Sequence, residues 1–305
     1  MDALHATRRD FLKLLGTAAV IGSVAPEALA GAKTTKITIL HTNDVHSRLD
    51  PFPMDGSRNA GKGGVARRAA LIDQIRREQE AVLVFDAGDL FQGTPYFNFY
   101  NGEPEILAMN RMQYDAATIG NHDFDGGIEN MRDQFAKAKF PFLIANYDFR
   151  NTVMEGRTEP YKIFNKGGIR IGVFGLGIEP KGLIPANLYK ETRYLDPVET
   201  ANNTAAMLRN DKKCNYVICL SHLGYDYKEN TISDRRLAAQ SRNLDLIIGG
   251  HTHTFLETPA SVMNADGKPV LINQVGWAGI YLGRFDLVFE AGKATVQDGQ
   301  AVPVR

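Results

Sequence analysis

The sequence predicts an α/β fold whose working groups sit where strands end. Short apolar runs recur at Ile37-Thr38-Ile39-Leu40, Val82-Leu83-Val84-Phe85, Ala116-Ala117-Thr118-Ile119, Tyr216-Val217-Ile218-Cys219-Leu220 and Leu246-Ile247-Ile248, with the length and composition of strands. Segments with helical spacing lie between them. Each run then breaks into acids, amides or histidines, several beside a glycine, and the carboxyl ends of strands are where α/β sheets keep their ligands.

A chain of 305 residues, 44% hydrophobic and 23% charged, has ample core for a large globular domain and no composition of disorder. Lys+Arg 35 against Asp+Glu 35 leaves no bulk positive field to recruit nucleic acid or anionic lipid, so phosphate recognition must be local. Thr7-Arg8-Arg9-Asp10-Phe11-Leu12-Lys13 has the twin-arginine export pattern, followed by an apolar run from Leu14 to Ala25 and the small-x-small site Ala28-Leu29-Ala30. Residues 1–30 are therefore expected to be removed, leaving residues 31–305 as one exported, periplasmic domain. The apolar run is too short to span a bilayer and no cysteine follows it, so no stable membrane anchor is expected. Cys214 and Cys219 are the two cysteines; five residues of strand separate them by roughly 16 Å, against a disulfide limit of roughly 7 Å between Cα atoms. Two free, buried thiols are expected.

In chain order, Lys36 to His41 reads as a strand and delivers Asp44 and His46, which two apart at a strand end can point the same way towards a hard or borderline cation. His41, inside the strand, is read as structural. Asp50 to Gly64 is a loop, and Val65 to Gln79 an amphipathic helix whose arginines form a solvated face. Ala81 to Phe85 is apolar throughout, the mark of a strand covered on both faces; it leads to Asp86 and, past a glycine, Asp89. The run Tyr96 to Tyr100 reads as an aromatic loop, and Pro104 to Met112 as a helix. Ala116 to Ile119 then feeds Gly120-Asn121-His122-Asp123-Phe124-Asp125. There Asn121 offers a carbonyl oxygen to a cation, and His122 and Asp125 can pair so that the carboxylate orients and charges the imidazole; a polar turn with a hydrogen-bonded histidine is the plainer reading. A helix from Gly126, strands at Phe142 to Ala145 and Ile169 to Leu176, and a helix from Pro197 to Leu208 lead to Tyr216–Leu220 and His222. A helix near Ser233 to Gln240 and the strand Leu244 to Ile248 precede Gly249-Gly250-His251-Thr252-His253. Strand-like runs continue from Val270, and Trp277 is read as packing.

Five strand ends thus supply more oxygen and nitrogen ligands than one ion needs, and no thiolate. That points to two borderline divalent ions sharing a carboxylate. Such a pair can clamp a phosphoryl group and provide hydroxide near neutral pH, and His122 backed by Asp125 suits stabilisation of charge and protonation of a leaving oxygen.

The motifs Thr42-Asn43-Asp44-Val45-His46, Asp86-Ala87-Gly88-Asp89, Gly120 to Asp125, Ser221-His222 and Gly250-His251-Thr252-His253 occur in the order of the calcineurin-like metallophosphoesterases. Their spelling most resembles the catalytic domain of the 5′-nucleotidase and 2′,3′-cyclic phosphodiesterase family. The resemblance implies a four-layer α-β-β-α sandwich holding two divalent ions (Mn, Zn, Fe or Co). It implies that Asp44, His46, Asp89 and His253 hold one ion, that Asp89, Asn121, His222 and His251 hold the other, and that His122 and Asp125 form the catalytic dyad. Several family members carry glutamine where this sequence has His253. A small phosphoester, a nucleotide foremost, is the implied substrate. Family nucleotidases carry a second, base-stacking domain, so a separately encoded substrate-binding domain is an expected partner. Sulfur-ester cleavage of the thiosulfohydrolase type and a non-catalytic binding subunit are the alternatives.

Overall fold

The apolar runs do form strands, and they assemble into two sheets packed face to face. The computed structural model describes residues 34–305, so the expected export segment lies outside the described residues. The strands are β1 (Thr34–Thr42), β2 (Val82–Asp86), β3 (Ala116–Ala117), β4 (Tyr147–Asp148), β5 (Tyr161–Lys166), β6 (Ile169–Leu176), β7 (Arg193–Tyr194), β8 (Tyr216–Ser221), β9 (Leu246–Gly249), β10 (Ala260–Met263), β11 (Pro269–Asn273), β12 (Tyr281–Glu290) and β13 (Lys293–Pro303). The helices are α1 (Val65–Glu78), α2 (Pro95–Tyr100), α3 (Glu103–Arg111), α4 (Gly127–Phe135), α5 (Ala186–Tyr189), α6 (Pro197–Ala206) and α7 (Asp234–Gln240).

One sheet has the order β13-β12-β1-β2-β3 and the other β10-β11-β9-β8-β6-β5, with β4 and β7 paired apart. Strands β1, β2 and β3 run parallel, as do β6, β8, β9 and β11, while antiparallel partners complete both sheets. Side chains alternate across a strand, so each central strand feeds two cores. Ile37, Ile39, Leu83 and Phe85 meet Ile218, Leu220, Leu246 and Ile248 between the sheets. Leu40 and Val84 face the other way, onto Ile72 and Ile75 of α1, Ile106 of α3 and Ile128 of α4. Val217, Cys219 and Ile247 likewise pack on Ala201 and Ala205 of α6 and Leu237 of α7. Helix, sheet, sheet, helix is the four-layer order. Apolar burial on this scale, at about 25 cal/mol per Å², fixes the two sheets against each other and so fixes which strand ends are neighbours.

Several elements differ from the sequence reading. Phe142 to Ala145 makes only isolated bridges, Ala117 with Phe142 and Leu143 with Glu159, because its partners are single residues and not a continuous edge. The stretch between it and β6 contains β5, which the sequence reading does not include and whose partly exposed residues pair antiparallel with β6. The aromatic run Tyr96 to Tyr100 is helical: Pro95 starts α2 and Asn101, in the left-handed region at φ 53°, stops it. Of the α1 arginines, Arg67 and Arg77 are solvated, but Arg68 is buried beside Asp86 and Tyr114. Both cysteines are free and buried. His41 is fully buried without a hydrogen-bond partner among the described residues, and burial drives its imidazole down to about 3, so it is a neutral core residue. No helix among the described residues is long and apolar enough to cross a membrane.

Candidate metal centre and acid group

Strand order decides which loops meet. In the first sheet β1, β2 and β3 are adjacent and deliver Asp44 and His46, Asp89, and Asn121 with His122; in the second, β8 and β9 are adjacent and deliver His222, and His251 with His253. The β1 and β2 loops stay paired beyond the strands through Asp44 N–H to Gly88 O (2.9 Å) and His46 N–H to Asp89 O (3.0 Å). Their backbone is unusual. Asp44, His46, Asp89, His251 and His253 all have positive φ, between 50° and 75°, a region that few non-glycine residues adopt and that clusters at functional sites. The glycines between them are demanded by close approach: a Cβ on Gly120 would collide with the Asp89 carboxylate, and one on Gly88 would lie 2.6 Å from Gly120 N.

All nine expected residues come together at this junction. Asp44, His46 and His253 each place a ligand atom within 4.8 Å of the others, and Asp89, His222 and His251 do the same. His46 Nε2 and His253 Nε2 face each other at 2.9 Å, and His253 Nε2 lies 3.5 Å from Asp44 Oδ1. Asp89 Oδ2 stands between the groups, 3.1 Å from His222 Nε2 and 3.8 Å from His46 Nε2. Asn121 Oδ1 is 2.7 Å from His251 Nδ1. Beside them His122 Nδ1 meets Asp125 Oδ2 at 2.7 Å, and the His122 backbone N–H donates to Asp89 Oδ1 at 2.8 Å.

These donors fit divalent cations. His222 Nδ1–H donates to Ala87 O (2.7 Å) and His46 Nδ1–H to Gln92 O (3.1 Å), which leaves each Nε2 lone pair aimed inward, the arrangement that orients a metal-binding imidazole. Among the described residues His222 Nε2, a buried atom, has no hydrogen-bond partner. With only protons to balance the buried acids, burial pushes the Asp44 carboxyl up to about 8, with Asp89 adding to it. Burial works in the same direction on Asp89, but His222, His46 and His122 around it hold that carboxyl below its usual range. Burial disfavours charge on His222, yet Asp89 and Asp44 raise it to about 10. His251 and His253 are held down to about 4, chiefly by burial. A bound cation would take the part of the His222 proton, and deprotonated donors are what metal binding requires. His122 is raised, foremost by its hydrogen bond to Asp125.

Three supporting residues escape the sequence reading. Asp123, fully buried, accepts from the N–H groups of Asp89 (3.1 Å), Leu90 (2.9 Å), Phe91 (3.2 Å) and Gly120 (2.7 Å), and so ties the β2 loop to the β3 loop. Asn43 donates to Asp44 Oδ2 (2.6 Å) and Gly276 O (2.7 Å) and accepts from Val275 N–H (2.9 Å). Gln274 donates to Gly250 O and accepts from Thr254 N–H and from Thr252 Oγ1, bracing the turn that carries His251 and His253. The polar pair Asn273-Gln274 directly after the apolar run Val270 to Ile272 is the signal that could have marked Gln274. Asp86 stands behind the centre, accepting from Thr42 Oγ1 (2.5 Å) and Gly88 N–H (2.8 Å). Trp277 packs against the site itself: its ring runs parallel to that of His253, 5.8 Å between centroids and 8° between planes.

A family model for calcineurin-like phosphoesterases matches residues 37–255, which contain all nine residues. The chain belongs to that family. It is 35% identical over 279 residues to the snake venom 5′-nucleotidase of Crotalus adamanteus, covering 85% of this chain and 46% of that protein. It is 32% identical to a trifunctional nucleotide phosphoesterase of Bacillus subtilis, covering 86% of this chain and 18% of that protein. The crystal structure of a 5′-nucleotidase precursor from Thermus thermophilus superposes with a TM-score of 0.78 at 33% identity, over 88% of this chain and 55% of that one. The chain thus spans about half the length of the nucleotidases it matches.

Asp123→Asn replaces two acceptor oxygens with one and turns an amide N–H₂ towards backbone donors. Leaving a buried donor unsatisfied costs about 1–3 kcal/mol, so chemical denaturation should show a loss of that size. Elemental analysis of the folded variant should show reduced metal, because the Asp89 and Gly120 loops separate.

Proposed function

We propose that the centre hydrolyses phosphoesters of small molecules, nucleotides foremost, with two divalent ions bound by Asp44, His46, Asp89 and His253 and by Asp89, Asn121, His222 and His251. The observation that carries this reading is the pair of ligand groups, each within 4.8 Å, with Asp89 Oδ2 facing histidines of both. Divalent ions in such a pair supply Lewis acidity and an attacking hydroxide at neutral pH. The chain supplies the rest. Asp125 takes Nδ1–H of His122, so Nε2 remains to act on substrate, and the raised proton affinity keeps a proton there to give to the departing oxygen. The His122 backbone N–H holds the second oxygen of Asp89, so the acid and the shared carboxylate keep a fixed spacing. The nucleotide preference is supported by the named activities of the relatives. A separately encoded substrate-binding domain is part of this reading, and the chain covers 46% of the Crotalus adamanteus relative. Nothing in the site favours sulfur-ester cleavage or a silent binding role.

The test is a panel of nucleotides and simple phosphoesters assayed with protein stripped by chelation and reloaded with Mn, Zn, Co, Fe or Mg. Hydrolysis should vanish on stripping and return with at least one metal; full activity in protein shown metal-free by elemental analysis would refute the assignment. In the reloaded enzyme His122→Ala should lower kcat by about 10²–10⁴ at unchanged metal content, since the backbone N–H to Asp89 survives, and Asp125→Asn should cost less. Loss of an ion from His122→Ala would make His122 a ligand instead.

The same reading includes export by the twin-arginine route to the periplasm, on the strength of Arg8-Arg9 and the Ala28-Leu29-Ala30 site. Intact mass of exported protein should place the mature N-terminus near Gly31, and a full-length N-terminus in exported protein would count against it.

A further inference from the structure

On the His253 side of the centre lies a recess of about 330 Å³, within the size range of small-ligand sites, roughly 300–1,000 Å³. Trp277 forms one wall. Its indole is held in place from behind: Phe52 packs edge-on at 5.8 Å, and the Arg48 guanidinium lies 4.4 Å from the centroid of Phe52. The Phe255 and Tyr281 rings, 4.4 Å apart and inclined at 33°, form a second aromatic surface, and Phe255 is 45% exposed. Arg58 and Lys62, from the loop that precedes α1, add positive charge to the lining, and among the described residues no carboxylate lines the recess. An aromatic surface of this kind with two uncompensated cations fits a flat, anionic molecule. Stacking on an aromatic side chain tolerates any base, while lysine and arginine favour phosphate oxygens. His253 belongs both to the recess and to the Asp44–His46–His253 group, so a molecule seated here adjoins the reacting phosphate.

We propose that this recess is the leaving-group subsite and that it takes nucleotides carrying a second phosphate. The base lies against the aromatic walls of Trp277, Phe255 and Tyr281, and Arg58 and Lys62 meet the phosphate that is not being cleaved. The inference rests on the phosphoesterase reading for the position of the scissile phosphate, but its test does not need turnover.

Trp277 is the only tryptophan of the chain, so its emission reports directly on the recess. The full chain is titrated with ADP, adenosine and ribose 5-phosphate, with chelator present so that no ester is hydrolysed. ADP should change the emission saturably and at lower concentration than adenosine, and ribose 5-phosphate should not match it. The double variant Arg58→Ala/Lys62→Ala, altered only in the surface loop, should raise the Kd for ADP by about tenfold or more, equivalent to about 1.4 kcal/mol, while the Kd for adenosine stays within about threefold. A ribose 5-phosphate response equal to that of ADP, an ADP response that does not saturate, or a double variant that binds ADP as the parent does would each overturn the proposal. Hydrolysis by the reloaded enzyme beside a failed titration would remove the recess and leave the phosphoesterase reading. Saturable ADP binding without hydrolysis on any metal would do the reverse.

Discussion

The Asp89 carboxylate is 1% exposed, 3.1 Å from a histidine of the opposite sheet and 3.8 Å from one of its own. An ionised acid removed from water at this depth is expensive unless positive charge and hydrogen-bond donors surround it. The fold supplies one donor, His122 N–H on Asp89 Oδ1, sets His222 Nε2 3.1 Å from Oδ2, and places further acids and imidazoles around them that a cation would bridge. The rest of the junction follows from this constraint. The two sheets must meet where Asp89 lies, the glycines at 88 and 120 must admit the neighbouring loop, and the histidines must present nitrogen lone pairs inward.

That demand is met at a conformational cost. Five of the seven ligand-like residues occupy left-handed backbone, where each non-glycine residue costs of order 1–3 kcal/mol, less for the Asp and His types that tolerate the region best. Such turns persist only when their surroundings determine them. Asp123 does so for the Asp89 and Gly120 loops by gathering four N–H groups, and Gln274 does so for the turn with His251 and His253. The stiffness that holds the centre in place therefore comes from buried polar residues that are not themselves among the ligand-like groups. The cores on either side of both sheets add the rigid frame to which these loops are tied.

Local patterns carried much of the reading. The spans of α1, β6 and β8 follow from runs whose periodicity is unbroken, and Asp44, His46, Asp89, Asn121, His122, Asp125, His222, His251 and His253 were legible because each sits shortly after an apolar run. Elements whose identity depends on a partner were not legible. β5 is partly exposed and becomes a strand because β6 offers an edge, whereas Phe142 to Ala145 has the composition of a strand and finds only single bridges. Arg68 shares its helix and residue type with solvated arginines, and only the position of Asp86 and Tyr114 turns it inward. Trp277 carries no sequence sign of its place beside His253, because the two are brought together by a turn and not by spacing.

By itself the sequence determined the chemical inventory: alternating strands and helices, no bulk charge, and a set of oxygen and nitrogen donors at five strand ends, with an imidazole and a carboxylate three residues apart. Those are properties of residue type and short-range order, which periodicity and spacing record. Tertiary structure alone decided that β1, β2 and β3 lie side by side in one sheet and β8 and β9 in the other, that Asp89 Oδ2 stands 3.8 Å from His46 Nε2 and 3.1 Å from His222 Nε2, and that an aromatic and cationic recess opens beside His253. Strand order and sheet packing bring together residues some 200 positions apart, such as His46 and His253. Those contacts arise from burial of the cores between and outside the sheets, a collective effect that no local stretch of the sequence encodes.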